Sequence, residues 1–279
     1  MSDTVPAAEH PDSAPTLAEV IAVIEAAYPP ASAQSWDKVG LVTGDPAQPV
    51  RRVHLALDPT LAVIEEARAG GADLLLTHHP LLMRGVNSLA VTSAKGASVT
   101  NLIVGDIALY VAHTNADVAA DGVCVALAQA CGLTELEPLV ISEDQPLGRV
   151  GRLPSALSLQ DFAQQVARAL PSAPVGIRVS GPSDATVETV AVLGGSGDDL
   201  FGAVRACGAD VYVTADLRHH PAMEAREEAR GGPPYLIDAG HWASEAVWLP
   251  MAAEVLQRAF GERVEIHVSE IVTDPWTFV

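Results

Sequence analysis

Short unbroken apolar runs alternate along the chain with segments in which apolar residues recur every three or four positions. The first kind suits strands buried on both faces, and the second suits amphipathic helices. Thr16-Leu-Ala-Glu19 has the form of a capping box and predicts a helix to about Ala27. Residues 53–57 predict a strand, and Asp58-Pro-Thr opens a helix that runs through Arg68 and stops at Gly70-Gly71. Residues 73–77 predict a second strand, 93–104 a helix, 107–112 a third strand, and 117–130 a helix ended by Gly132. The stretch 135–146 is rich in Glu, Pro and Asp and predicts a loop. A second capping box, Ser158-Leu-Gln-Asp161, opens a helix, with strands expected at 175–179 and 187–193. Strand, helix, strand in this order implies βαβ units, an α/β fold and largely parallel sheets.

The same pattern occurs twice. Residues 53–77 can be laid on 190–214 without a gap. Arg68-Ala69 falls on Arg205-Ala206, Gly71-Ala72-Asp73 on Gly208-Ala209-Asp210, and Thr77 on Thr214. A His-His-Pro follows each copy: His78-His79-Pro80 directly, and His219-His220-Pro221 after four more residues. Each copy then has one further strand that runs into a histidine, His113 or His241, with an acid four residues on, Asp117 or Glu245. The expectation is a short tail (1–15) and two related α/β halves, 16–137 and 138–279, packed as one unit. Ligands of parallel sheets gather at the carboxyl ends of strands, so two such sets of polar groups would converge on a shared site between the halves.

Composition narrows the chemistry. Sixteen Lys and Arg stand against 35 Asp and Glu, a net charge of −19. Such a balance repels polyphosphate and argues against a nucleic-acid groove. A local metal ion can still reverse the field for a small anionic substrate. The longest charge-free run, 122–134, is too short to span a bilayer, and the first residues lack the basic start and apolar core of a signal peptide. Cys124, Cys131 and Cys207 form no CxxC and no even framework, which points to a reducing, cytoplasmic setting; Cys124 and Cys131 read as core filler.

Residues four apart share a helix face, so His113 with Asp117 and His241 with Glu245 can each present two ligands to one metal. Chance placement of nine histidines and 35 acids accounts for about one such pair; the chain has four, the others being His54/Asp58 and His220/Glu224. The repeat register and the strand-end placement single out 113/117 and 241/245. His78 and His79 are neighbours past a strand end and point in different directions, so they can serve two metals, with Asp117 and Glu245 as candidate bridges. His54 reads as a satisfied histidine inside a strand, while His10 and His267 carry no signal. Gly194-Gly195-Ser196-Gly197 sits between a strand and a helix; it suits either a phosphate cradle on backbone N–H groups or a tight turn.

Six ordered motifs resemble one known family. They are Trp36-Asp37-Lys38-Val39-Gly40-Leu41, the stretch from Gly71 to Pro80, Ala112-His-Thr-Asn-Ala-Asp117, Val192-Leu-Gly-Gly-Ser-Gly197, the stretch from Ala209 to Asp216, and Asp238-Ala-Gly-His-Trp-Ala-Ser-Glu245. Together they are similar to the Nif-three-like family of dinuclear metal centre hexameric proteins, over residue 17 onward. Lys38 stands where that family has Asn, and Ala215 where a glycine is usual. The resemblance implies a paired α/β fold and a homo-hexamer, a trimer of dimers around an internal cavity. It implies two divalent metal ions, zinc, manganese or iron, held by His78, His79, His113, Asp117, His241 and Glu245. Some members carry the name GTP cyclohydrolase type-two homologue, and longer members carry an inserted domain for which this chain has no room.

The reading that follows is a cytoplasmic metal-dependent hydrolase. A metal-bridging water, acidified by two cations, would attack a nucleotide-like or other small phosphorylated substrate. Asp216, His219 and His220 are the candidates for proton transfer or substrate contact. The alternative is a ring-shaped metal-binding or metal-handling scaffold without turnover.

Overall fold

A computed structural model describes residues 14–278. Residues 1–13, which hold most of the expected tail and His10, lie outside the described residues. The chain runs through α1 (Leu17–Ala27), β1 (Gly40–Thr43), β2 (Arg52–Ala56), α2 (Leu61–Ala69), β3 (Leu74–Thr77), α3 (Ala94–Val104), β4 (Ala108–Val111), α4 (Thr114–Val118) and α5 (Val123–Ala130). It continues through β5 (Thr134–Ser142), β6 (Gln145–Ser158), α6 (Leu159–Ala169), β7 (Arg178–Ser180), β8 (Thr186–Ser196), α7 (Phe201–Ala206) and β9 (Val211–Ala215). The last elements are α8 (His219–Glu228), β10 (Tyr235–Asp238), α9 (His241–Ala246), α10 (Leu249–Phe260) and β11 (Glu265–Val268).

Two mixed sheets form, in the orders β1-β4-β3-β2-β11 and β5-β6-β8-β9-β10-β7. The first is parallel apart from β1; the second has a parallel centre, β8-β9-β10, flanked by antiparallel strands. The sequence repeat is a structural repeat in the same register. Val53 pairs with Leu74 in one sheet, and their repeat equivalents Val190 and Val211 pair in the other. The repeated Gly-Ala-Asp has a definite task. Asp73 Oδ2 accepts the backbone N–H groups of Arg51 and Arg52, and Asp210 Oδ2 accepts those of Glu188 and Thr189. Each carboxylate, placed just before its own strand, thus ties that strand's beginning to the neighbouring one, at the start of β2 in the first copy and near the start of β8 in the second.

The helices that follow the two His-x-x-x-acid segments cross over. α5 packs on β6 and β8 of the second sheet through Leu127 and Ala128. α10 packs on α1 and β2 of the first through Leu249, Ala252 and Leu256, and β11 then pairs with β2. Residues 249–268 therefore complete the first sheet although they follow the second along the chain. Trp248, wholly buried, stands edge-on to Tyr28 and donates its indole N–H to the Tyr28 hydroxyl at 3.2 Å.

Three expectations need correction. The stretch 135–146 is not a loop but most of a hairpin, β5 and the start of β6. Glu143 and Asp144 both have positive φ, the signature of a two-residue type I′ turn. Of the residues that suggested a loop, Glu135, Glu137 and Pro138 lie on the edge strand β5, where one side of the strand has no ladder to break, Glu143 and Asp144 form the turn, and Pro146 lies at the start of β6, ahead of its pairing with β8. The single helix expected over 117–130 is two, α4 and α5, because the chain breaks at residues 119–122. A Cβ on Gly122 would lie 1.9 Å from the Ala116 carbonyl oxygen, so only glycine lets the chain turn there. The strand expected over 175–179 is only β7, which starts at Arg178.

Candidate metal centre

Strand ends of both sheets deliver the candidate residues to one place. β3 runs directly into His78, which is fully buried, and His79. Beyond β4, His113 leads into α4, which carries Asp117. Beyond β10, Gly240 at φ 76° turns the chain into α9, which carries His241 and Glu245 one helical turn apart. Asp216, just past β9, has φ 52°, a left-handed conformation uncommon outside glycine. Its carboxylate lies 2.8 Å from His241 Nδ1.

Each of the four histidines presents Nδ1 to an oxygen. His78 Nδ1 lies 2.9 Å from the Ala112 carbonyl, His79 Nδ1 2.7 Å from Asp58 Oδ1, His113 Nδ1 3.0 Å from Asp37 Oδ2, and His241 Nδ1 2.8 Å from Asp216 Oδ2. The three carboxylates titrate low. Burial works to raise Asp37 and Asp58, but His113 and the hydrogen bonds from Thr114 hold the first down and one from His79 holds the second down. Asp216 is lowered chiefly by its hydrogen bond from His241. Ionised carboxylates and carbonyls only accept, so the contacts of His78, His79 and His241 call for a proton on Nδ1, with the Nε2 edge turned inward; His113 Nδ1 lies near Asp37 but is itself buried without hydrogen-bond geometry.

Those inward atoms meet Glu245, which is 3 % exposed. Glu245 Oε2 lies 3.0 Å from His79 Nε2 and 3.2 Å from His241 Nε2, and the two Nε2 atoms are 3.3 Å apart. Glu245 Oε1 is 3.7 Å from His78 Nε2, which is 3.6 Å from Asp117 Oδ1. His78 Nε2, Asp117 Oδ1 and Glu245 Oε2 are buried without a hydrogen-bond partner. Imidazole and carboxylate lone pairs that converge in a dry interior fit a cation, which would take the place of the protons that otherwise lie between them. Leaving each such atom unpaired would cost about 1–3 kcal/mol. Ligand atoms come within 4.8 Å of one another in two overlapping groups, His78/His79/His113 and His79/His241/Glu245. Nitrogen and carboxylate donors of this kind suit zinc, manganese or iron.

Proton affinities respond to the same crowding. Burial lowers His79 and His241, but Glu245 with Asp58 raises the first to about 10, and Asp216 with Glu245 raises the second to about 11. Burial would raise Glu245, yet the charge of His79 and the hydrogen bond from His241 hold it well below the usual range. Asp117 is pushed up to about 7 by burial and by the charge of Glu245.

The Gly194–Gly197 segment closes the site from behind. A Cβ on Gly195, which has φ 68°, would stand 2.2 Å from Glu245 Oε1 and 3.3 Å from His241 Nε2. The Gly195 N–H donates to Ser244 Oγ at 3.0 Å, and its carbonyl accepts from Thr214 Oγ1. That N–H is already used within the protein, so the segment serves as a floor rather than a phosphate cradle.

Not every candidate comes together. Asp216 reaches the cluster through His241, whereas His219 and His220 open α8, exposed, with their rings 5.2 Å apart. No hydrogen bond or ion pair joins either to the cluster among the described residues. His54 is paired with Glu66 at 2.9 Å, and Ser269 donates to the same carboxylate oxygen. Asp37 and Asp58, which orient His113 and His79, were not singled out from the sequence. The signals for them were Asp37's place in the Trp36–Leu41 motif and Asp58's place at the end of the strand beside β3.

Fold and site together define a two-halved α/β protein whose repeats share a buried histidine and carboxylate cluster of metal-ligand type. The profile of the family described as Duf34/NIF3 (NGG1p interacting factor 3) matches residues 15–275. The chain belongs to that family. A Streptomyces coelicolor protein named GTP cyclohydrolase 1 type 2 homolog is 49 % identical over 271 residues, covering 94 % of both chains. A Mycobacterium tuberculosis protein of the same name is 35 % identical, covering 93 % of this chain and 96 % of its own. A Bacillus cereus protein related to NIF3 superposes with TM-score 0.87 at 27 % identity, covering 95 % of this chain and 99 % of its own. Among the described residues no helix is long and apolar enough to cross a membrane.

Proposed function

We propose that the protein is a dinuclear metal-dependent hydrolase acting on a nucleotide-like or other small phosphorylated molecule. The observation that carries this reading is the convergence of His79 Nε2, His241 Nε2 and Glu245 Oε2, each delivered by a different strand end or helix position. His79, His241 and Glu245 would hold one ion, and His78, His113 and Asp117 the other. Two such cations, when bound, would supply an acidified water and would neutralise charge on a phosphoryl or carbonyl oxygen. The chain's own part is positional. Asp58 and Asp216 fix the tautomers of His79 and His241, Asp37 lies beside His113, the buried Glu245 keeps both of its oxygens within reach of histidines, and Gly195 excludes any side chain from the space beside them. The relatives' name supports a nucleotide-like substrate. We assign the chain to a cytoplasmic homo-hexamer on the family resemblance.

A second reading, a metal-binding ring without turnover, is favoured by one observation. His219 and His220, the candidates for proton transfer, stand away from the cluster. A screen of nucleotides and phosphorylated metabolites with the metal-loaded protein separates the two. Hydrolysis that a chelator abolishes and manganese or zinc restores is the expected result. Turnover that survives full demetallation overturns the metal-dependent reading, and no turnover by a protein with metal bound and its assembly intact favours the ring.

A further inference from the structure

Beside the cluster lies a cavity of about 280 Å³ whose wall includes His79 and His241. That is near the lower end of small-molecule sites, which run from about 300 to 1,000 Å³. Its rim is built by parts of the chain outside the ligand motifs. Arg178, which opens the edge strand β7, lines it, and so does the segment 273–276. That segment is tied to the centre, because Thr273 Oγ1 donates to Asp58 Oδ2 while Asp58 Oδ1 faces His79. Three residues on, Trp276 lines the cavity with its side chain 66 % exposed.

We infer that this cavity is the substrate-recognition site and takes a planar heteroaromatic ring bearing an anionic, phosphate-like group, with Trp276 as the stacking surface and Arg178 as the anion contact. The inference deepens the function proposed above and rests on the cluster being the reacting centre. Two physical arguments support it. First, a large apolar ring left mostly in solvent at the mouth of a polar cavity gains by covering its face, and any planar ring can do so. Second, the four acids of the cavity each have partners within the protein. Asp58 faces His79 and Thr273, Asp216 faces His241, Asp238 takes Arg178 and the N–H groups of Leu217 and Gly240, and Asp274 accepts the backbone N–H of Trp276. The Arg178 side chain is 65 % exposed, and one of its terminal nitrogens bonds Asp238. Guanidinium has five N–H donors in a fork that matches phosphate oxygens, so donors beyond the Asp238 bond remain on a side chain that lines the cavity.

The test measures binding rather than turnover. Metal-loaded protein is titrated calorimetrically with GMP, guanosine and ribose 5-phosphate, which carry ring and phosphate, ring alone and phosphate alone. GMP should bind tightest. Trp276→Ala should weaken GMP and guanosine about tenfold, the effect of losing one stacking partner, and leave ribose 5-phosphate unchanged. Trp276→Phe should restore most of that loss. Arg178→Gln, which retains a donor for Asp238, should weaken GMP and ribose 5-phosphate and spare guanosine. GMP binding no tighter than ribose 5-phosphate, or unmoved by both substitutions while the metal content is intact, overturns the inference. If metal-dependent hydrolysis of other phosphorylated compounds persists alongside that result, the hydrolase reading survives and this one falls. If the binding pattern holds and nothing turns over, the reverse is true.

Discussion

His79 and His241 come from different copies of the repeat, yet their Nε2 atoms are 3.3 Å apart and share one oxygen of Glu245. Each copy alone therefore lacks part of the donor set proposed for the ion. Replacing His241 with Ala should weaken metal binding on the order of 100-fold, at or above the upper end of what loss of an orienting partner costs. His219→Ala, outside the cluster, should leave it unchanged. Elemental analysis of gel-filtered protein checks both, and equal metal content in wild type and H241A would contradict the assignment.

Protons and metal compete for the same atoms. In the metal-free protein His79 and His241 titrate at about 10 and about 11, so both are charged at pH 8 and each ion must displace protons. Metal affinity should fall steadily as pH drops from 8 to 6, and calorimetry in two buffers of different ionisation enthalpy should show proton release. The sign for stability follows from the same shifts. Folded values above the unfolded 6.5 stabilise the metal-free protein below that pH, and the contribution is lost as pH rises through about 10 to 11. A metal affinity independent of pH over 6 to 8 would refute this account.

Asp216 touches His241 and would act on the proposed metal site through it. Asp216→Asn keeps the shape, but an amide can turn its NH2 toward Nδ1 and move the ring proton to Nε2. The expected loss is about 10- to 100-fold in metal affinity with the fold unchanged, read by competition with a chromogenic chelator and by circular dichroism. An affinity within twofold of wild type would show that the tautomer is fixed some other way.

Gly195→Ala should fail on two counts. Its Cβ would fall 2.2 Å from Glu245 Oε1, and the residue would have to hold φ 68°. Strain of this kind costs about 1–3 kcal/mol, so the urea midpoint should drop and metal content with it. Gly202→Ala, where a Cβ meets nothing within 4 Å, is the matched control.

What could be read in the sequence depended on whether a residue's partner was local or repeated. Asp73 and Asp210 repeat because each fixes two strand N–H groups, and a constraint used twice leaves a mark twice. His113 with Asp117 and His241 with Glu245 were visible because a helix turn joins them. Asp37 and Asp58 were not, since they meet His113 and His79 only across 76 and 21 positions of chain. The β5–β6 hairpin hid behind its own polarity, since Glu and Pro on an edge strand look like loop residues. The exchange of α5 and α10 between the sheets has no local signature, because an apolar helix face does not name the sheet it covers.

The order in which the chain emerges during synthesis gives that exchange a further consequence. β2 ends at residue 56, but its neighbour β11 begins at residue 265. At roughly 5–20 residues per second, about 10–40 s of translation separate the two. Through that interval the outer edge of the first sheet has no partner strand, and His79 is without His241. The first half spends that interval with an open strand edge and half of the proposed cation site, a stage exposed to aggregation.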